Sequence, residues 1–325
     1  MAVNLEEFGV TPAGPDAVRP FSVEELDVRG RAVALGPVID RILSRHDYPE
    51  AVSRLLAEAM VLTSLLGTSL KFSGRFILQT QTNGPVYMLV VDFSSPDALR
   101  AYASFDRDKV DALVKGGKSA PEDLLGTGHL ALTIDQGKHM QRYQGLVELD
   151  GVSLEEVARR YFARSEQIPT EIRLAVSKLF TRSEGEEPRE SWQAGGIMVQ
   201  FLPEASDRIK AVDMDPGDAP EGTEAHTTDE DDAWLEAKAL VETVKDVELT
   251  DPEISVERLL FRLFHERGVR IFDPQPIEDR CQCSREKISG ILKNFSETDL
   301  EDMKEDGKVV VTCEFCSTRY EFEAP

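Results

Sequence analysis

Cys281-Gln-Cys283 and, about thirty residues on, Val311-Thr-Cys313-Glu-Phe-Cys316 hold every cysteine of this 325-residue chain. Two close pairs, each from one tight turn, are the spacing of a Cys₄ zinc site. Residues 277–325 are too few to sustain an independent core, so this end of the chain reads as a small module that needs a staple. Binding by four thiolates contributes about 10–16 kcal/mol to the folding of such a module. Four protein ligands also close the coordination shell, leaving no position for a catalytic water.

The Cys-x-Cys pair raises the question of oxidation. Zinc holds the sulfurs as thiolates, the form an oxidant attacks. Disulfides within each pair would close loops of only three and four residues, and loop entropy credits each with about 1.5–2 kcal/mol. That replaces little of what leaves with the metal, so oxidation should unfold the module. Four cysteines allow three connectivities, and spacing alone leaves the pairing open. A purely structural zinc knuckle is the plainer reading of the same residues.

Working upstream, two short amphipathic segments precede the module. Ala233 to Lys245 carries Trp234, Ala237, Val241 and Val244 on one face, and Ser255 to Arg267 carries Val256, Leu259, Leu260, Leu263 and Phe264, with Gly268 as its stop. Together residues 233–276 read as a helical linker, marginal alone. Docked on the zinc module, the helices would be released with it and expose an apolar face. Residues 213–232 are acidic and contain no Lys or Arg, which reads as an acidic connector.

Residues 21–212 read as an α+β domain. Phe21 to Leu35 suggests a hairpin around Arg29-Gly30, and Pro49 to Leu70 a helix apolar enough to be central. Phe76 to Thr82 and Pro85 to Phe93 flank Asn83-Gly84, a strong hairpin signal. Strands are expected at 129–134, 143–149, 168–176 and 196–202, and Ser153 with Glu156 opens a helix to about Arg164. Hairpin-joined strands with helices between them argue for antiparallel sheet, not a doubly wound fold. Residues 1–20, rich in Pro, Gly and Ala, read as a flexible arm.

A net charge of -23 repels nucleic acid and anionic membranes. The N-terminus lacks the basic and apolar regions of a signal peptide, and no apolar run reaches membrane-span length, so a cytoplasmic address is expected. Gly117-Lys118-Ser119 resembles the end of a phosphate-binding loop, but Ala112 stands where its first glycine belongs. Gly126-Thr-Gly128 reads as a turn, and Ser165-Glu166-Gln167 as a helix end. His46, His129, His139, His226 and His265 do not cluster, and four thiolates leave zinc no need of them.

Several stretches beyond the cysteines carry a resemblance: Leu263-Phe-His-Glu-Arg-Gly-Val-Arg-Ile-Phe-Asp-Pro274, Leu70-Lys-Phe-Ser-Gly-Arg75, Tyr143-Gln-Gly145, Tyr161-Phe-Ala-Arg-Ser-Glu-Gln-Ile-Pro-Thr170 and Gly195-Gly-Ile-Met-Val-Gln200. With the tail Cys281-Gln-Cys283-Ser-Arg-Glu and Cys313-Glu-Phe-Cys316, they resemble the 33 kDa chaperonin family, redox-regulated bacterial heat-shock holdases, over about residues 21–325. The resemblance implies a reduced, inactive form with one Zn²⁺ per chain on Cys281, Cys283, Cys313 and Cys316. It implies disulfides Cys281–Cys283 and Cys313–Cys316 under peroxide or hypochlorite stress, zinc release and linker unfolding. The activated chain would form a homodimer, hold unfolded or oxidatively damaged clients without ATP, and hand them to ATP-dependent chaperones. The connector and the arm match no motif of the family.

The expectation is thus a cytoplasmic, ATP-independent holdase that prevents aggregation, with no catalytic residue and no enzymatic turnover. Two other classes remain in play. A constitutive zinc-ribbon adaptor would lose activity with zinc, and a Cys-x-x-Cys oxidoreductase would sustain turnover. The latter lacks chain after Cys316 for a thioredoxin-like domain.

Overall fold

The computed structural model describes residues 11–69, 73–137, 142–181, 189–203, 231–305 and 307–323. The first ten residues of the expected arm, residues 213–230 of the acidic connector, His139 and His226 lie outside them. The strands in chain order are β1 Ala17–Val23, β2 Val28–Leu35, β3 Arg75–Thr82, β4 Val86–Ser94, β5 Ala98–Phe105, β6 Thr127–Asp135, β7 Tyr143–Asp150, β8 Thr170–Thr181, β9 Arg189–Phe201, β10 Val269–Ile271, β11 Gln275–Pro276, β12 Glu278–Asp279, β13 Lys304–Glu305, β14 Lys308–Thr312 and β15 Arg319–Glu323. The helices are α1 Pro37–Leu43, α2 Glu50–Gly67, α3 Arg107–Lys115, α4 Pro121–Leu125, α5 Leu154–Tyr161, α6 Asp232–Glu242, α7 Asp246–Thr250, α8 Val256–Phe264, α9 Arg285–Leu292 and α10 Glu297–Asp302.

This is the expected α+β class. One sheet runs β10-β1-β2-β9-β8 with β11 also on β1, a second runs β12-β5-β4-β3-β6-β7, and a third runs β13-β14-β15. The second sheet grows from the hairpin at Asn83-Gly84, whose strands β3 and β4 pair antiparallel from Arg75 and Ser94 to Gln81 and Met88. Helix α2 packs on both larger sheets, and fourteen of its eighteen residues are buried. A helix apolar on every side is stable only in such a central position.

The first sheet has a second apolar side. Phe21, Val28, Ile197, Val199 and Phe201 form a cluster with Trp234, Ala237 and Val241 of α6 and Leu259, Leu260, Leu263 and Phe264 of α8. The linker helices therefore dock on this sheet, not on the zinc module. Their apolar faces match those expected, but the surface receiving them is the outer side of β1, β2 and β9. Arg19 of β1 and Glu257 of α8 form an ion pair inside this contact, with side chains 9% and 1% exposed.

Two further expectations are corrected. The arm does not extend to residue 20: Ala17–Pro20 belong to β1, and Asp16 accepts the Gly36 and Val38 backbone N–H groups at the start of α1. The first hairpin does not turn at Arg29-Gly30. It turns over Glu24–Leu26, with Asp27 left-handed at φ 51°, and Gly30 lies in mid-strand opposite Phe21. The Phe21 ring takes the place of a side chain there, since a Cβ on Gly30 would meet Phe21 Cζ at 2.3 Å.

Candidate metal centre

From α8 the chain runs as an extended strap across the edges of both larger sheets. β10 and β11 pair with β1, and β12 pairs in parallel with β5 at Ala98 and Leu99. Ile277, at the middle of the strap, is 2% exposed and inserts into the main core. Two residues beyond the strap's last strand come Cys281 and Cys283, followed by Ser284, whose side chain accepts the Lys287 N–H and caps α9. The second pair sits in the turn between β14 and β15. There the Cys313 N–H donates to the Thr318 carbonyl (3.0 Å) and the Ser317 N–H to the Cys313 carbonyl (2.8 Å), with Ser317 left-handed at φ 55°.

These two turns bring all four sulfurs within 4.8 Å of one another. The close approaches run between pairs: Cys281 to Cys313 at 3.7 Å and Cys283 to Cys316 at 3.4 Å, with all four thiols free. A tetrahedral ion with metal–sulfur bonds of about 2.3 Å requires sulfurs about 3.8 Å apart. The cysteines are therefore positioned to hold a metal ion, and their donor set suits a thiophilic one. His265 is elsewhere, with its ring nitrogen on the Phe261 carbonyl of α8.

The module depends on this centre. Between residues 281 and 325, Leu292 and Val309 are the only buried apolar side chains among the described residues, while Ile291 and Phe295 are exposed. Two buried side chains contribute about 3–6 kcal/mol, far short of the backbone entropy of some forty ordered residues.

In the folded arrangement the sulfurs are not equivalent. Burial pushes the Cys313 thiol up to about 12, despite N–H groups of Cys316 and Phe315 aimed at it. Burial also opposes ionisation of Cys316, but the Thr318 hydroxyl at 3.2 Å, the Thr318 backbone and the neighbouring thiols bring it down to about 7. Cys283 is raised by burial, against the Tyr320 hydroxyl 3.2 Å away.

The centre is wired into the main domain by residues the sequence reading did not single out. Arg100 of β5 sits between buried Asp92, whose carboxylate its Nη2 reaches at 2.6 Å, and Cys281, whose Sγ lies 3.9 Å from its Nη1. The same guanidinium covers the Phe315 ring at 4.1 Å, and Tyr102 meets that ring edge-on at 4.8 Å. His46 faces the Phe315 carbonyl at 3.4 Å and the Ser317 hydroxyl at 3.3 Å, and Gln282 donates to Ser94 Oγ at 2.8 Å. Nothing local marks Arg100, Tyr102 or His46; only the fold brings them within reach of cysteines some 180 residues or more away.

Cys313-x-x-Cys316 lies between two strands, not at the helix N-terminus that activates thioredoxin-like dithiols. Gly117-Lys118-Ser119 falls in the loop between α3 and α4, so a helix and not a strand leads into it.

A mixed domain with a four-cysteine module, positioned to hold a metal ion and strapped across its sheet edges, defines a narrow class of protein. The family model described as Hsp33 protein matches residues 16–323. The 33 kDa chaperonin of Caulobacter vibrioides is 43% identical over 312 residues, covering 95% of each chain. That of Ectopseudomonas mendocina is 34% identical over 311 residues, covering 95% of this chain and 92% of the relative. The crystal structure of the 33 kDa chaperonin (heat shock protein 33 homolog) of Thermotoga maritima has the same fold, with a TM-score of 0.70 over 95% of both chains at 23% identity. This chain belongs to the Hsp33 family of chaperones.

Proposed function

We propose that the chain is a redox-regulated, ATP-independent holdase, with one Zn²⁺ held by Cys281, Cys283, Cys313 and Cys316 in its resting form. The observation that carries this reading is a module with two buried apolar side chains gathered around four mutually accessible thiols. Such a module folds when its thiolates share an ion and lacks the core to fold when they do not. Within each pair, Cys281 with Cys283 and Cys313 with Cys316, hydrogen peroxide takes two electrons from the two thiolates and two protons from solvent, its O–O bond breaks, the S–S bond forms and two waters leave. The oxidised sulfurs no longer offer thiolates, and the residues lose their hold on the metal. The resulting three- and four-residue loops restore about 3–4 kcal/mol between them against about 10–16 lost.

Unfolding of the module frees the strap and then the linker, uncovering apolar surface on α6, α8 and the first sheet. That surface serves unfolded or oxidatively damaged clients and a second copy in an activated homodimer, with later hand-over to ATP-dependent chaperones. The net charge of -23 keeps such complexes soluble and disfavours nucleic acid and anionic membranes as partners. No helix among the described residues is long and apolar enough to cross a membrane, in keeping with a cytoplasmic site of action. The chain performs no catalytic turnover.

The test is suppression of light scattering by a denatured protein, compared between zinc-loaded reduced and peroxide-treated samples, with zinc release followed by a chromogenic chelator. The oxidised sample should suppress scattering and release one zinc per chain. Equal suppression by both samples would leave only a structural zinc knuckle. Activity that tracks bound zinc would instead indicate an adaptor, and sustained insulin reduction an oxidoreductase.

A further inference from the structure

The strap that leads to the metal centre occupies a sheet edge as an added strand. The Glu278 N–H donates to the Asp97 carbonyl (2.8 Å) and the Arg280 N–H to the Leu99 carbonyl (3.2 Å), while Ile277 fills a slot in the main core. Further along the same edge, the Ala103 N–H donates to the Tyr48 hydroxyl at 3.1 Å. The acidic residue two positions after Ile277 has its own receptor. Asp279, its side chain 4% exposed, receives both guanidinium nitrogens of Arg45 and lies 3.9 Å from Arg41. In the resting chain this edge is thus a peptide site filled by the chain's own Pro276-Ile-Glu-Asp-Arg280.

Withdrawal of the strap leaves four features together: unpaired backbone groups on β5, an empty aliphatic slot, two arginines facing it, and the aromatic Tyr102 vacated by Phe315. An exposed strand edge is a template for another chain, and strand addition takes its affinity from main-chain hydrogen bonds and its selectivity from side-chain pockets. The β1 edge under β10 and β11 is the poorer template. Pro20 accepts from the Phe272 N–H there but has no N–H to give. β5 contains no proline.

We propose that the β5 edge is a docking site for an extended segment of an unfolded polypeptide, which adds as a strand where residues 277–280 lie in the resting chain. An aliphatic side chain of the client takes the Ile277 slot, and an acidic residue two positions on meets Arg41 and Arg45. The inference rests on the holdase reading and gives it a binding mode.

Hydrogen exchange of the full-length chain tests this in three states: zinc-loaded and reduced, oxidised, and oxidised with reduced carboxymethylated lactalbumin as an unfolded probe. The Leu99 amide, in the register paired with the strap, should be protected in the first state, exposed in the second and protected again in the third, while the Ala103 amide, held by the Tyr48 hydroxyl, should stay protected throughout. A peptide with the sequence of residues 273–280 should compete with the probe, and its Ile277→Asp counterpart should compete about ten- to a hundredfold less well, the loss expected for one buried aliphatic side chain. A Leu99 amide that stays exposed with probe bound, or two peptides that compete equally, would overturn the site. Light scattering on the same samples separates the two levels. Suppression without renewed protection refutes the β5 site alone, whereas an oxidised chain that fails to suppress refutes the holdase reading and the site with it.

Discussion

Replacing Glu257 with alanine should loosen the linker while leaving the metal centre intact. Glu257 is 1% exposed and accepts from Arg19 Nε and from the Ala13 backbone N–H at 3.0 Å. Arg19 also donates to the Phe272 carbonyl of the strap at 3.1 Å and to the Thr11 carbonyl at 2.7 Å. One carboxylate therefore joins α8, β1, the strap and the segment before β1. Removing it strands a buried guanidinium, which costs about 3–5 kcal/mol. Because α8 can escape this cost by undocking, its opening equilibrium should rise by about two to three and a half orders of magnitude. Hydrogen exchange of the α8 amides in the zinc-loaded, reduced variant reads that factor directly, and light scattering should show partial activity without oxidant. The double variant Arg19→Met/Glu257→Leu removes both charges and should restore protection, since a well-packed apolar replacement of a buried pair is often neutral or stabilising. An α8 exchange rate unchanged in Glu257→Ala, or a double variant as open as the single, would refute the assignment of this pair as the linker's tether.

Other perturbations probe the same system elsewhere. A Cβ on Gly195 would meet the Leu249 carbonyl oxygen at 2.1 Å. Gly195→Ala should therefore displace α7 at an overpacking cost of about 1–3 kcal/mol and lower the temperature at which the linker melts, read by Trp234 fluorescence. In the reduced, metal-free chain the module should unfold, so iodoacetamide at pH 7 should label all four cysteines at similar rates by mass spectrometry of the peptides. Cys316, lowered to about 7 in the folded arrangement, labelling well before Cys313, raised to about 12 there, would show that the module stays folded without metal and refute its dependence on the ion. Burial first, then the nearby Glu155 carboxylate, raises the Glu58 carboxyl of α2 from 4.5 to about 8. The folded state then binds the extra proton, so stability contributed by neutral Glu58 is complete below about pH 4.5 and lost as pH rises toward 8. Melting temperature should fall across that window, and Glu58→Gln should flatten the fall.

What the sequence discloses about this fold divides by the range of the interactions. Helix α2 and the Asn83-Gly84 hairpin are visible because periodicity and turn chemistry act over a few residues. So are the cysteine pairs, whose spacing is itself the signal. Strand β5 escapes because its inward positions Ala101 and Ala103 are small, while Arg100 and Tyr102 point toward the metal module, so its alternation has little apolar contrast. Helix α3 escapes for the opposite reason, with Val110 its one buried residue. The apolar faces of α6 and α8 are legible, but their docking surface is not. An apolar stripe states that it must be covered and says nothing of which sheet covers it.

That last point changes how a signal could travel. Since α6 and α8 rest on the first sheet, loss of metal does not undermine them directly; it must pass through the strap. The Phe272, Ile277, Glu278 and Arg280 N–H groups bind main-chain carbonyls of the domain, and Ile277 is buried. At about 0.5–1.5 kcal/mol for each of these four hydrogen bonds and about 1.5–3 for the side chain, they contribute about 3.5–9 kcal/mol beside the short β10, β11 and β12 ladders. Ordering its twelve residues costs about 1–2 kcal/mol each. The strap is therefore insecure unless both its ends are anchored, by α8 on one side and by the folded metal module on the other. In the proposed function, oxidation at Cys281 would free one anchor, and the Arg19–Glu257 pair at the opposite end would then decide whether the linker follows.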